Sequence, residues 1–289
     1  MRSRLATSAA LALVLLPSVA VADDPADYAH HLIAERDYFR AISEYKALAF
    51  REPDLARRAV YQLEIGRAYR ISGRPELSID ALTRLLSAKG AAPDVQAKAH
   101  LNLALDYLSI RAIPVATLHL EDAARLGERG PASLLTAVNA ALSDRPADAR
   151  AALDEARRGT LDGAMTALAD STERSLTAVA TARTKSPLLA ATLSAVLPGA
   201  GQAYTGHWFD AMQAFGFVSA FGFTSYLAYD HDRARGGPYV LTGVALGITT
   251  FFYVANILGA ERTARYVTQK GRDDALEPLR QNVTASQAF

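Results

Sequence analysis

Apolar residues recur at three- and four-residue spacing from Asp27 to about Gly159, and Pro and Gly interrupt the pattern at intervals. This spacing places apolar side chains on one face of a helix, and the interruptions are typical of turns between helices. Residues 160–186 are rich in Ala, Thr and Ser with scattered charges, which predicts a further helix or a helical linker. Residues 23–186 are therefore predicted to be helical and soluble.

The helical pattern also repeats itself along the chain. Segment 64–69 reads EIGRAY and segment 102–107 reads NLALDY. Each segment ends in a tyrosine and is followed by a turn and a second predicted helix. Self-similarity at a period of roughly 30 to 40 residues is typical of stacked helix pairs.

These segments resemble the tetratricopeptide repeat family, in which small and large residues meet at the contacts between paired helices. Small residues let neighbouring helices approach closely, and an aromatic side chain fills the gap between successive pairs. The matching positions are Gly66, Tyr69, Ser78 and Leu82 in one repeat, Ala104, Tyr107, Ala116 and Leu120 in the next, Ala41, Tyr45 and Pro53 before them, and Ala137, Ala149 and Leu153 after them. No Trp opens the first helix of a repeat and the intervals are irregular, so a generic stack of helical hairpins stays as the alternative. The resemblance places the repeat domain at residues 23–159.

The resemblance implies a concave face that binds an extended peptide or a helix of a protein partner. In the family register Arg67 and Arg70 project towards that face from one repeat, and Leu105 and Leu108 from the next. The alternative is that the arginines are solvated and the leucines belong to the core, since those are the ordinary environments of these residue types.

The chain becomes markedly apolar over residues 187–260, which we interpret as a membrane domain. The segments 209–229 and 238–259 are each long enough to cross a hydrocarbon core of about 30 Å. Residues 230–237, which read DHDRARGG, form a polar turn between them, so the two spans are predicted to be an antiparallel hairpin. The apolar run 188–197 is too short to span and predicts a half-helix that dips into the bilayer. Residues 261–289 are predicted to be a polar C-terminal tail.

The segment from Leu197 to Ala211 resembles the opening of small bacterial membrane domains related to the two-transmembrane-helix family. The matching positions are Pro198, Gly199, Gly201, Gln202, Tyr204 and Gly206. The resemblance implies a membrane fold and indicates little about activity. Gln202 and Tyr204 are expected to supply hydrogen bonds to backbone groups that a broken helix leaves free.

Two further features of this region are candidates for function. Asp210, beside His207, is an ionisable residue at the edge of a predicted span, and such residues are often functional. A carboxylate at a helix start also stabilises the free N–H groups there, and we favour that role. Gly243 and Gly247 form a G-x-x-x-G face, which we interpret as a helix-packing face within the chain, with homo-oligomerisation as the alternative.

The N-terminus predicts export. Arg2 and Arg4 precede an apolar run, and Ala20-Val21-Ala22 matches a signal-peptide cleavage site, so residues 1–22 are predicted to be a signal peptide. The alternative is an uncleaved anchor. The chain has no cysteine, which excludes disulfides. Its net charge of +1 gives no reason to expect nucleic acid as a partner.

Searches for catalytic motifs find none of the common hydrolase, metalloprotease or nucleotide-binding patterns in the sequence. His31 and Glu35 lie four residues apart, but a metal site needs three or four ligands, so no metal or cofactor is predicted. We therefore predict an all-α protein, not an enzyme, that acts as a membrane-anchored adaptor of the bacterial envelope. The alternative is an intramembrane enzyme or a small-solute transporter that uses the polar residues near Gln202.

The predicted location is the bacterial inner membrane, with the N-terminal domain in the periplasm. Two spans then leave Arg233 and Arg235 in the cytoplasm. The other basic residues that flank the membrane domain would lie outside, against the positive-inside bias; they are Arg183, Lys185, Arg262, Arg265, Lys270 and Arg272. A third crossing by residues 188–204 would remove this conflict, so the side of the C-terminus stays open.

Overall fold

The structure is a computed structural model that describes residues 24–285, and the predicted signal peptide lies outside these residues. The described chain is helical throughout, as predicted. Its helices are α1 (Asp27–Ala34), α2 (Tyr38–Arg51), α3 (Leu55–Ile71), α4 (Pro75–Ser87), α5 (Pro93–Ser109), α6 (Ile113–Arg125), α7 (Arg129–Leu142), α8 (Pro146–Arg158), α9 (Gly163–Thr181), α10 (Pro187–Val196), α11 (Ala200–Thr205), α12 (Trp208–Arg235) and α13 (Val240–Ala285).

Local sequence signals explain where many of these helices begin. The side chains of Asp37, Asp54, Asp162 and Ser186 each accept a hydrogen bond from a backbone N–H in the first turn of the following helix. Proline lies at the start of α4, α5, α6, α8 and α10, where its missing N–H would have no partner in the helix anyway. The helix boundaries thus follow from capping chemistry.

The first nine helices form two layers. The odd-numbered helices α3, α5, α7 and α9 pack side by side in chain order, and the even-numbered helices α2, α4, α6 and α8 pack on them. A side chain at Gly66 would overlap the Leu82 side chain, which is fully buried. A small residue is therefore required where α3 approaches α4, as the packing argument from the sequence expects.

The predicted polar tail is instead the second half of a 46-residue helix, α13, that packs on the odd-numbered layer. Leu276, Leu279 and Val283 are buried in the same hydrophobic cluster as Leu105 and Leu108. These three apolar residues recur at helical spacing, so they present one narrow apolar stripe on an otherwise polar helix. A stripe of that width is easily read as a polar segment in the sequence.

Polar contacts hold the same part of α13 in place. The Asn282 side chain donates to the Ser171 hydroxyl on α9 at 2.6 Å, and Arg272 forms an ion pair with Asp144. Closer to the apolar half of the helix, the backbone N–H of Lys185 donates to the Thr268 hydroxyl at 2.9 Å. The C-terminal half of α13 is thus attached to the N-terminal helices along its length.

The helices α10 to α13 form a separate apolar unit beside the two layers. Both α10 and α12 pack on the first half of α13, and the short helix α11 contacts all three. Large apolar side chains cover the outside of this unit, including Leu188, Val196, Phe209, Met212 and Phe251, each at least two-thirds exposed. Among the described residues, α13 is the one helix that is long and apolar enough to cross a membrane.

We expect Leu279→Ala to lower the free energy of unfolding by about 2–5 kcal/mol, the usual cost of removing a fully buried leucine side chain. Gln281→Ala, which changes an exposed residue two positions further along α13, is the matched control and should have little effect. Chemical denaturation of the full chain in detergent measures both. Equal, small effects would mean that the C-terminal half of α13 is not part of the core.

Candidate functional site

The segment with the predicted membrane-domain motif is a sharp reversal between α10 and α12. Gly199 lies between α10 and α11 with a φ of +85°, and Gly206 ends α11 with a φ of +89°. These left-handed conformations are readily available to glycine and costly for other residues. The two glycines thus let the chain turn twice within a few residues.

Close packing adds a second requirement at two of the motif glycines. A side chain at Gly199 would overlap the backbone carbonyl of Ala211 at the start of α12. One at Gly201 would overlap the Ala190 carbonyl and approach the Ser194 hydroxyl to 2.6 Å. Gly199 and Gly201 therefore lie where α11 packs against α12 and α10, and neither position has room for a side chain.

A buried polar network joins this reversal to α13. The Ser194 hydroxyl accepts from the backbone N–H of Gly201 and donates to Oε1 of Gln202, both at 2.9 Å. Nε2 of Gln202 donates to the backbone carbonyl of Asn256 at 3.1 Å. The Asn256 side chain accepts from the N–H of Gly199 and donates to the Ser194 carbonyl, both at 3.0 Å. Backbone groups freed by the broken helix are thus satisfied by two amide side chains.

Two tyrosines complete the network at its edges. The Tyr253 hydroxyl donates to the Ala195 carbonyl at 2.6 Å, which satisfies a further group at the end of α10. The Tyr204 hydroxyl accepts from the N–H of Ser186 at 3.2 Å, and Nζ of Lys185 lies 4.3 Å from the centre of the Tyr204 ring. Both tyrosines bind the protein's own backbone.

The hydrogen-bonded group of Ser194, Gln202 and Asn256 therefore has a structural role, and we call it the lock. Each amide side chain in it is hydrogen-bonded on both its oxygen and its nitrogen to groups of this chain. The sequence predicts this role for Gln202 and Tyr204, but Ser194 and Asn256 were missed. An amide within a long apolar run was the available signal for Asn256, because such a group needs a buried partner.

The other membrane-domain candidates lie apart from the lock. Asp210 is exposed in the first turn of α12, where a carboxylate interacts favourably with the positive end of the helix dipole. Nδ1 of His207 lies 3.2 Å from the Thr205 hydroxyl. Asp210 thus lies at the start of α12, and its role in stabilising the free N–H groups there stays a prediction.

The G-x-x-x-G face does not mediate the contact between α12 and α13. Side chains added at Gly243 and Gly247 would have no atom within 4 Å. The two helices instead meet through the stacked rings of Phe221 and Phe252, whose centres are 4.5 Å apart. Gly243 and Gly247 thus lie on a different side of α13 from Phe252, which faces α12.

The predicted partner-binding residues are largely interior. Leu105, Leu108 and Arg70 are at most 5% exposed. Nε of Arg70 donates to Oδ1 of Asn102 at 3.0 Å, and Arg67 forms an ion pair with Glu64 at 3.5 Å. Both leucines pack in the same hydrophobic cluster as residues of α13. The leucines predicted to contact a partner are therefore covered by a helix of this chain.

Asp106 is a fully buried carboxyl group near Arg70. Burial raises its pKa to about 7, while the nearby Ser78 hydroxyl and the Arg70 charge act in the opposite direction. Neither carboxylate oxygen of Asp106 has a hydrogen-bond partner of good geometry among the described residues. Burial also lowers the pKa of Arg70 to about 10, which leaves it protonated at neutral pH.

Comparisons of the chain with protein-family models, curated proteins and solved structures return no match. The function must therefore be argued from the geometry.

We expect Gly199→Ala to prevent accumulation of folded protein, because the added methyl group meets backbone that cannot move aside. Gly206→Ala is the matched control: it carries the same backbone strain, but its side chain would enter open space. It should cost only on the order of 1 kcal/mol. Size-exclusion chromatography in detergent compares the yields of the two variants. Equal yields would contradict the close contact between α11 and α12.

We expect Asp106→Asn to become more stable relative to the wild type as the pH rises from about 4 to 7. The carboxyl ionises in the unfolded chain near pH 4 but holds its proton in the folded protein to about pH 7. Below pH 4 this group therefore gives its full stabilisation, and that stabilisation is lost as the pH rises, by up to about 1.4 kcal/mol per pH unit.

Denaturation of the full chain across this pH range measures the difference. Asp154→Asn, at an exposed position on α8, is the control and should leave the pH dependence unchanged. A constant difference between Asp106→Asn and the wild type would mean that Asp106 ionises equally in both states.

Proposed function

We propose that this protein is a membrane-anchored adaptor of the bacterial envelope, in which a tetratricopeptide-like helical region binds a protein partner beside the bilayer. The observation that carries the proposal is the continuity of α13. At about 1.5 Å per residue its 46 residues extend about 69 Å, from the apolar unit to the buried core of the N-terminal helices. One continuous helix, which contains Pro278 near its C-terminal end, thus links the proposed apolar anchor to the N-terminal helices.

The apolar exterior of α10, α12 and the first half of α13 supports the anchor. A contiguous exposed surface of this kind is unusual on a soluble monomer and favours contact with lipid. Several of its polar residues lie inside, including Gln202 and Asn256 of the lock, as a lipid environment favours. Although α12 is less apolar than α13, it shares this exterior.

The connectivity favours a transmembrane hairpin of α12 and α13. The chain leaves the N-terminal helices at residue 181 and returns to them at Leu276. An even number of crossings is therefore required between these points. The ten-residue helix α10 is about 15 Å long and too short to cross, which leaves α12 and α13 as the pair.

This connectivity favours a C-terminus on the same side as the N-terminal helices. The contacts of Leu276 and Leu279 with those helices favour two crossings over a third crossing by residues 188–204. The signal-peptide pattern of residues 1–22 favours the periplasm for that side. The six basic residues that flank the apolar unit then lie in the periplasm, and the interior packing of α13 outweighs the positive-inside bias.

The partner is proposed to bind near the N-terminal end of the layers, because α13 covers the central face. Phe39 and Phe50 of α2 are 78% and 89% exposed. They line two adjoining grooves of about 470 and 540 Å³ that share Lys46, and the second also contains Arg58 and Arg84. Exposed aromatic rings among basic groups favour an acidic segment of a protein with apolar side chains.

A photoreactive amino acid at Phe50 tests this assignment in living cells. We expect a discrete cross-linked adduct with one envelope protein, and we expect Lys46→Glu with Arg84→Glu to remove it. Leu118 on α6 is the control position, since it is 60% exposed but lies outside these grooves. Adducts are resolved by electrophoresis and identified by mass spectrometry.

Absence of an adduct at Phe50, or an equal adduct at Leu118, would contradict the binding surface. A cytoplasmic protein captured at Phe50 would contradict the proposed orientation. An adduct that survives both charge reversals would show that the basic groups do not select the partner.

A further inference from the structure

Three potential metal ligands converge between α5 and α6. His100 lies on α5, and His119 and Asp122 lie on α6. The Nδ1 atoms of the two histidines are 2.9 Å apart, and Oδ2 of Asp122 is 3.8 Å from Nδ1 of His100. One ligand atom from each residue fits within 4.8 Å of the other two. Their convergence depends on how α5 and α6 pack, so no short sequence motif announces it.

We propose that His100, His119 and Asp122 bind a zinc ion. Two imidazole nitrogens and a carboxylate oxygen are a common ligand set for zinc, with bonds of about 2.0–2.2 Å and a solvent molecule in the fourth position. Tetrahedral ligands at such bond lengths lie about 3.3 Å apart, so the two nitrogens need to separate by only about 0.4 Å. This movement is within the reach of small side-chain rotations.

The surroundings orient two of the three ligands, His119 and Asp122. The Tyr107 ring stacks on the His119 ring with 5.4 Å between centres and 9° between planes. Arg125 forms an ion pair with Asp122, which fixes the carboxylate and leaves its other oxygen near His100. Such partners of metal ligands contribute to affinity by holding the ligands in position.

The ligands also lie in a place suited to metal. All three residues are partly exposed, so the ion has a path from solvent. The bound ion would join α5 to α6 within one helix pair, away from the apolar unit and from the grooves beside Phe50.

Isothermal titration of the metal-free full chain in detergent with zinc chloride tests the proposal. We expect one saturable site, lost in His119→Gln and weakened more than about tenfold in Asp122→Asn. The control is His30→Gln, which alters the exposed cluster of Asp24, Asp27 and His30 and should leave the strong site intact. Cobalt(II), used in place of zinc, should give visible absorption bands of tetrahedral coordination in the wild type.

Thermal unfolding with and without zinc separates loss of the site from loss of the fold. Zinc should raise the unfolding midpoint of the wild type and not that of His119→Gln, while the metal-free midpoints stay similar. If His119→Gln fails to fold, Asp122→Asn decides alone. Absence of zinc binding, or binding that is unchanged in the tested variants, would overturn the proposal and leave a histidine–histidine hydrogen bond.

Discussion

The packing of the second half of α13 on the N-terminal helices is the contact on which the rest of the structure depends. Leu276, Leu279 and Val283 enter the same hydrophobic cluster as the leucines of α5 and α7. Because α13 is one uninterrupted helix, this contact also fixes the direction in which its apolar half leaves the core. The position of the apolar unit beside the N-terminal helices follows from it.

The apolar unit contains a second structural constraint, which is a helix broken among apolar residues. The reversal at Pro198 and Gly199 frees backbone groups at the end of α10 that need hydrogen-bond partners. Ser194, Gln202 and Asn256 supply those partners from three different helices. The lock thereby lets a short helix stand beside α12 and α13 with the backbone groups at its end hydrogen-bonded.

The N-terminal helices use polar groups in the opposite way. Arg70 and Asp106 are ionisable groups in a core where burial opposes ionisation. Burial lowers the pKa of Arg70 and raises the pKa of Asp106, so each shift favours the neutral form. Burying such groups costs stability, and the hydrogen bond from Arg70 to Asn102 joins α3 to α5. The proposed zinc ligands lie on the next helix pair, so α5 carries polar contacts to the helices on both sides.

The sequence by itself determined the helices, because their signals are local. Capping residues such as Asp54, prolines at helix starts and the glycines of the motif each act within a few residues of chain. The apolar segments and the small residue at Gly66 are equally visible from composition and spacing. The structural role of Gln202 also followed from the need to satisfy a broken helix.

Only the tertiary structure decided which faces meet. Leu105 and Leu108 belong to the core because α13 returns to cover them, and that contact joins residues far apart in the chain. The same holds for Asn256 in the lock, for the open face at Gly243, and for His100 beside His119. Helical spacing tells which residues share a face, but the partner of a face depends on the path of the whole chain.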